Sequence, residues 1–236
     1  MPRMTPAQHH YEKAMAKKSE KRNAAGNLKK GSAYELMMAK LHSDIQRLKD
    51  IQSIESKVRV KEAILPDYQA WVDGVLESGQ GAQDEVLMTI LVWNIDAGHY
   101  EEALRIAAYA LKHNLVMPDQ YSRNLATVLL DEIPPALLKK KPETPEDLEK
   151  ALSILKQTET LTAAHDAPDQ ATAKLCKALA LTLLKKTGEG DITPETRPDA
   201  LNAKTYLERA CELDERSGVK SELKRLEKRL EQVSQG

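Results

Sequence analysis

Apolar positions recur along most of this chain at intervals of three and four, the period of a helix face. In "GSAYELMMAKLHSDIQRLKD", Met38, Leu41, Ile45 and Leu48 are spaced in this way, and Ile51, Ile54 and Val58 continue the stripe. Ser32 and Glu35 have the spacing of a capping box, and Pro66 disfavours helix at Leu65. The pattern therefore predicts one long helix over residues 32–65. About thirty residues would span roughly 45–50 Å. So narrow a stripe suits an antiparallel or coiled-coil partner, for oligomerisation or for DNA contact.

Compact helical patterns follow. "PDYQAWVDGVLES" places Trp71, Val75 and Tyr68 on one face. "AQDEVLMTILVWNID" is apolar almost all round, as expected of a helix in the middle of a core. "GHYEEALRIAAYALKHNL" is rich in alanine, which lets a neighbouring helix approach closely. Thr144 caps "TPEDLEKALSILKQTETL", with Pro145 in its first turn and Glu146 and Asp147 complementing the helix dipole. Two further helices, "PDQATAKLCKALALTLLKK" and "PDALNAKTYLERACELDE", flank the loop "TGEGDITPETRP". In a final helix, "VKSELKRLEKRLEQV", Val219, Leu223, Leu226, Leu230 and Val233 form a narrow stripe that could pack on the body or pair with another chain, packing being the default.

No strand pattern interrupts these helices, so the expected class is all-α, a long N-terminal helix followed by a multi-helix body. "GHYEEALRIAAYALKHN" and "ALNAKTYLERACELDE" share the small-residue rhythm of tetratricopeptide-repeat (TPR) helices, and TPR-like hairpins are expected. No 34-residue period links them, so no solenoid is inferred. The expected organisation is a basic flexible arm at 1–31, the long helix at 32–65 and a central helical core at 66–133. A Pro- and Lys-rich linker at 134–145 then leads to a C-terminal helical region at 146–236.

Charge adds an asymmetry to this picture. The net charge is -1, yet residues 1–64 carry fourteen Lys+Arg against seven Asp+Glu, a balance of +7, and the remainder carries -8. The first thirty residues are polar and without sustained apolar period, so they read as a mobile arm with at most one short helix. A basic arm on an acidic body points to a polyanion partner or to a merely solvated tail. Mean hydropathy is -0.53, and no apolar run approaches the ~18 residues of a membrane span. The N-terminus has no signal-peptide core, so secretion is not expected.

Candidate chemistry is sparse. "ESGQGAQD" could be a phosphate-cradling loop, but a helix pattern precedes its glycines and no Gly-Lys-Ser or Gly-Lys-Thr follows. Gly79 and Gly81 read instead as a left-handed helix end, with the next helix starting near Gln83. Cys176 and Cys211 are isolated and read as reduced thiols. None of His9, His10, His42, His99, His113 and His165 pairs with another ligand at metal spacing. "PEDLEK" superficially resembles a nuclease acid-and-lysine pattern, but here it opens a capped helix. No catalytic residue, metal site or cofactor is expected.

One stretch resembles a known family. Leu65-Pro66, Trp71 through Asp84, Leu87 to Thr89, Trp93, Asp96, Gly98, Ala103 to Lys112 and Met117-Pro118 stand in an order similar to that of the GpM-like small terminase subunits of Peduovirus-type tailed phages. "YELMMAKLHSD" and "LERACELDERSGVKSELKRLEKRLE" extend the likeness over most of residues 32–232. The resemblance implies a non-catalytic subunit acting in the host bacterial cytoplasm, with no membrane partner. Its partners would be double-stranded phage DNA, bound at a cohesive-end packaging site, further copies of itself in a ring, and the large terminase subunit, which carries the ATPase and endonuclease. No residue role transfers with it. With no helix-turn-helix legible in residues 1–64, the DNA contacts fall by elimination on Lys13, Lys17, Lys18, Lys21, Arg22, Lys29 and Lys30. The rival reading is a TPR-like adaptor for a protein partner, with no specific DNA role.

Overall fold

The computed structural model describes residues 5–24, 32–140, 142 and 144–234, apart from the side chains of 19, 21–24, 32, 233 and 234. The regular elements among them are helical, as expected for an all-α chain. They are α1 (Pro6–Ala24), α2 (Ser32–Lys49), α3 (Ile54–Ile64), a 3-10 turn (Leu65–Tyr68), α4 (Gln69–Ser78), α5 (Glu85–Asp96), α6 (Tyr100–Lys112), α7 (Leu125–Lys139), α8 (Pro145–Thr162), α9 (Asp169–Thr187), α10 (Arg197–Leu213) and α11 (Lys220–Ser234). They fall into two compact units, Met1–Leu125 and Ala126–Gly236.

The first unit is built around α5, in which every residue from Val86 to Ile95 is buried. The Asp84 side chain starts this helix by accepting from the Leu87 amide at 2.9 Å. Upstream, Gly79 ends α4 in the left-handed region at φ 66°, as its place after a helix pattern predicts. Ala103, Ala107 and Ala110 of α6 are fully buried, and their small side chains let α6 lie close against α5. Tyr68 meets Trp93 edge-on at 6.0 Å and donates from its hydroxyl to Asp44 at 2.7 Å.

Two expectations for this unit change. Residues 6–24 of the expected flexible arm form α1, which packs along α4. The apolar pattern could not reveal this, because the docking uses Ala16 against Gly74, ion pairs and one buried glutamate instead of a stripe. The single helix expected over 32–65 is two helices parted at 50–53. Ser53 accepts from the Ser56 amide at 3.3 Å and starts α3 afresh; α2 and α3 each pack on α5. The expected capping box at Ser32 falls on a side chain outside the described residues.

The second unit packs α7 to α11 around Leu130, Leu155, Leu175, Leu179, Leu207 and Leu226. Alanines again set the closest approach: Ala178 and Ala180 of α9 and Ala200, Ala203 and Ala210 of α10 are fully buried where the two helices meet. Thr144 and Asp147 form the capping box of α8, each accepting from the other's amide at 3.1 Å. Val219 and Leu226 are buried, with Leu223 and Leu230 packed beside them, so the stripe of α11 is spent inside its own unit.

The expected linker 134–145 also differs. Pro134 and Pro135 lie inside α7, where their missing amides deprive the Leu130 and Asp131 carbonyls of their regular helical donors. The apolar run on either side outweighs that loss: Leu129, Leu130 and Ile133 are buried, and Leu137 and Leu138 pack on the core of the second unit. The boundary between units therefore falls at 125/126, ahead of the prolines.

Candidate nucleic-acid interface

Five of the seven expected DNA contacts, Lys13, Lys17, Lys18, Lys21 and Arg22, lie on α1, and α1 is held by ion pairs, close packing and hydrogen bonds. Lys13 and Lys17, one turn apart, both pair with Glu77 of α4. Those two hydrogen bonds hold the Glu77 carboxyl down at about 2, below the usual carboxylate range. His9 stands 3.8 Å from Asp73, which also receives a 2.7 Å bond from Arg105. Ala16 is fully buried, with its Cβ close to Gly74. Near the end of the helix the Glu20 side chain is buried, 3% exposed, and accepts from the Tyr109 hydroxyl and from the Gly81 amide at 3.1 Å.

This arrangement brings together two of the seven expected contacts, and it brings them to a carboxylate. Lys18 is exposed on α1. Lys21 and Arg22 lie in the last turns of α1 with side chains outside the described residues, and Lys29 and Lys30 lie outside them altogether. A phosphate contact by Lys13 or Lys17 has to displace Glu77.

The glycine loop, a possible phosphate cradle by composition, is occupied by the protein's own groups. Gly81, at φ 71°, donates its amide to Glu20 and, at 2.8 Å, to the Tyr109 hydroxyl. Asp84 follows, wholly buried, and accepts from the Trp71 indole at 2.9 Å. Burial first, with the Glu20 charge adding to it, pushes the Asp84 carboxyl up to about 6 against the pull of its hydrogen bonds. Two buried acids face this loop, which is the wrong potential for a phosphate. The loop is structural, as its helical flanks predicted.

The pair of buried acids was not anticipated. Asp84 carried a legible signal, an Asp just ahead of an apolar helix, though that helix was expected to start near Gln83. Glu20 carried none, since nothing in a polar stretch marks which acid will be buried. Burial pushes the Cys176 thiol up to about 11, which makes it a poor nucleophile; Cys211 is half-buried. Among the described residues no group of three or more His, Cys, Asp or Glu side chains could hold a metal ion.

Residues 38–170 match a family model described as phage small terminase subunit. Over 226 residues the chain is 39% identical to "Terminase, endonuclease subunit" of Escherichia phage P2, an alignment covering 96% of this chain and 85% of that protein. Over 205 residues it is 25% identical to "Probable terminase, endonuclease subunit" of Haemophilus phage HP1 (strain HP1c1), covering 85% of this chain and 71% of that one. No solved structure matches the chain.

Proposed function

The chain belongs to the phage small terminase subunit family, and we propose that within it the protein is the DNA-recognition subunit of a packaging complex. In this reading it binds the cohesive-end site on double-stranded phage DNA and recruits a large subunit that supplies ATP hydrolysis and cleavage. The observation that carries the reading is the family match over residues 38–170 together with 39% identity across nearly the whole chain.

Non-catalytic recognition is the role the family description favours. The relatives' names, which place them in an endonuclease, favour a second reading in which this subunit itself cuts. Incubation of the purified chain with cohesive-end plasmid and magnesium, with and without the large subunit, separates the two: cleavage by this chain alone would establish the second.

Assembly into a ring would multiply a weak contact per chain into tight binding. The cations of the N-terminal arm, Lys13, Lys17, Lys18, Lys21, Arg22, Lys29 and Lys30, contribute phosphate attraction in this scheme, Lys13 and Lys17 once Glu77 yields them. The site of action is the host cytoplasm; no described helix is long and apolar enough to cross a membrane. Light scattering at low and high salt tests the assembly directly. A ring-sized oligomer that shifts duplex DNA is the expected result, and a stable monomer that leaves DNA unshifted would lift the adaptor reading above this one.

A further inference from the structure

Four cations crowd the turn between α2 and α3. Arg47 and Lys49 close α2, and Lys57 and Arg59 stand on the first two turns of α3. Asp50 and Glu55 share this stretch and leave it at +2. Elsewhere in the first unit the cations are largely consumed: Lys13 and Lys17 by Glu77, Lys40 by Asp44 and Asp67, Lys61 by Asp96, Arg105 by Asp73 and Glu102. At the turn, Arg59 reaches Glu55 at 3.5 Å, an exposed pair of little strength. Arg47, Lys49 and Lys57 meet no carboxylate among the described residues.

The same stretch is largely exposed. Arg47, Lys49, Gln52, Ser53, Ile54 and Arg59 are exposed. The fully buried residue of α3, Ile64, is its last; Ser56, Lys57 and Val58 are half-buried, and Ile54, Glu55 and Arg59 face solvent. Ile54, at its tip, is 81% exposed. A lone surface isoleucine means nothing, but this one sits among cations beside a glutamine and two serines. That combination is suited to a base edge, where an apolar group meets a thymine methyl and an amide or hydroxyl meets donors and acceptors. A helix of this kind fits the major groove of B-DNA, about 12 Å wide.

We propose that the α2–α3 turn and the solvent-facing side of the first turns of α3 form the main duplex-DNA contact of this chain, to which the arm cations add phosphate attraction. Arg47, Lys49, Lys57 and Arg59 neutralise phosphates, and Ile54 with Gln52 reaches the base edges. The inference rests on the DNA-binding reading above and places the contact within the stretch shared with the family, which the arm cations precede. Charge complementarity selects the partner: unpaired cations flanking one exposed apolar residue fit a polyanion with apolar groups recessed between its charges. An apolar protein groove would not call for the cations.

The test measures binding of the full chain, by fluorescence anisotropy over a salt series, to a duplex carrying the phage's cohesive-end sequence and to a scrambled duplex. The variants are Arg47→Ala/Lys49→Ala/Lys57→Ala/Arg59→Ala, Ile54→Ser, and the arm variant Lys17→Ala/Lys18→Ala/Lys21→Ala/Arg22→Ala. All the turn positions but Lys57 are exposed and none is in the core, so helicity should be retained, which circular dichroism checks. The turn variant is expected to bind both duplexes at least tenfold more weakly, with the slope of log affinity against log salt reduced by about 3 to 4. Ile54→Ser is expected to keep the slope and lose preference for the cohesive-end duplex. Unchanged affinity and slope in the turn variant, with loss in the arm variant, would overturn the assignment and return the contact to α1. Unchanged preference in Ile54→Ser overturns the base-reading half. A wild-type chain that binds neither duplex, even at low salt, overturns the DNA reading itself.

Discussion

Gly74 of α4 lies so close to Ala16 of α1 that a Cβ built on it would stand 2.6 Å from the Ala16 Cβ and overlap the Lys13 backbone. The contact makes the sign of one substitution informative. In an undocked helix, Gly→Ala stabilises by roughly 0.5–1 kcal/mol. With α1 seated on α4 the added methyl forces two backbones apart, which costs about 1–3 kcal/mol. Gly74→Ala should therefore lower the urea midpoint and expose α1 to proteolysis. A raised midpoint would mean that α1 does not rest on α4 in solution.

The Tyr109 hydroxyl donates to Glu20 and accepts from Gly81, and so ties α1, the glycine loop and α6 together. Its removal leaves a buried carboxylate with one donor where it had two, at a cost of about 1–3 kcal/mol. Tyr109→Phe should lower the melting temperature, whereas Tyr100→Phe, which takes a hydroxyl from the start of the same helix α6, serves as the control. Equal melting temperatures for wild type and Tyr109→Phe would count against the tie.

Asp84 links stability to pH. Its carboxyl sits near 3.8 when solvated and at about 6 in the fold. Below the lower value both states hold the proton, and the stabilisation is complete. As pH rises from about 4 to 6 the unfolded chain releases the proton while the folded chain retains it, so stability falls. Above 6 the loss is complete and amounts to roughly 2–3 kcal/mol. Denaturation midpoints for wild type, subtracted from those of Asp84→Asn across this window, should give a difference that rises with pH. Parallel curves for the two proteins would remove Asp84 as the cause.

Helices held by an apolar face were legible in the sequence. The all-round apolarity of α5, the alanine faces of α6 and α10 and the cap at Thr144 each recur in the fold. The elements that escaped detection are held by other forces. At 50–53 the apolar stripe runs on through Ile54, but that residue is exposed, and a serine cap decides the break. At Pro134-Pro135 two strong helix breakers are overruled by packing contributed from the rest of α7. At α1 the polar sequence looked solvated because its partners, Gly74, Glu77 and Tyr109, lie more than fifty residues along the chain. The candidate interface inherits the same difficulty. A count of lysines found the basic arm, whereas only the three-dimensional pairing distinguishes Lys13 and Lys17, already neutralised, from Arg47, Lys49 and Lys57.

Glu77 occupies the place a phosphate would take between Lys13 and Lys17. It is an internal competitor for DNA at α1, and its depressed pKa keeps it charged at any pH above about 2. Glu77→Gln removes the competing charge while keeping a polar group of the same shape, so the two lysines become free to neutralise phosphates. The expected result is tighter binding to cohesive-end and scrambled duplexes alike, with the salt slope steeper by up to about 2. Combination with the α2–α3 turn variant should give additive changes, because the two sets of cations lie on separate elements and share no partner. Unchanged affinity and slope in Glu77→Gln would show that Lys13 and Lys17 only dock α1, leaving the turn between α2 and α3 to hold the DNA.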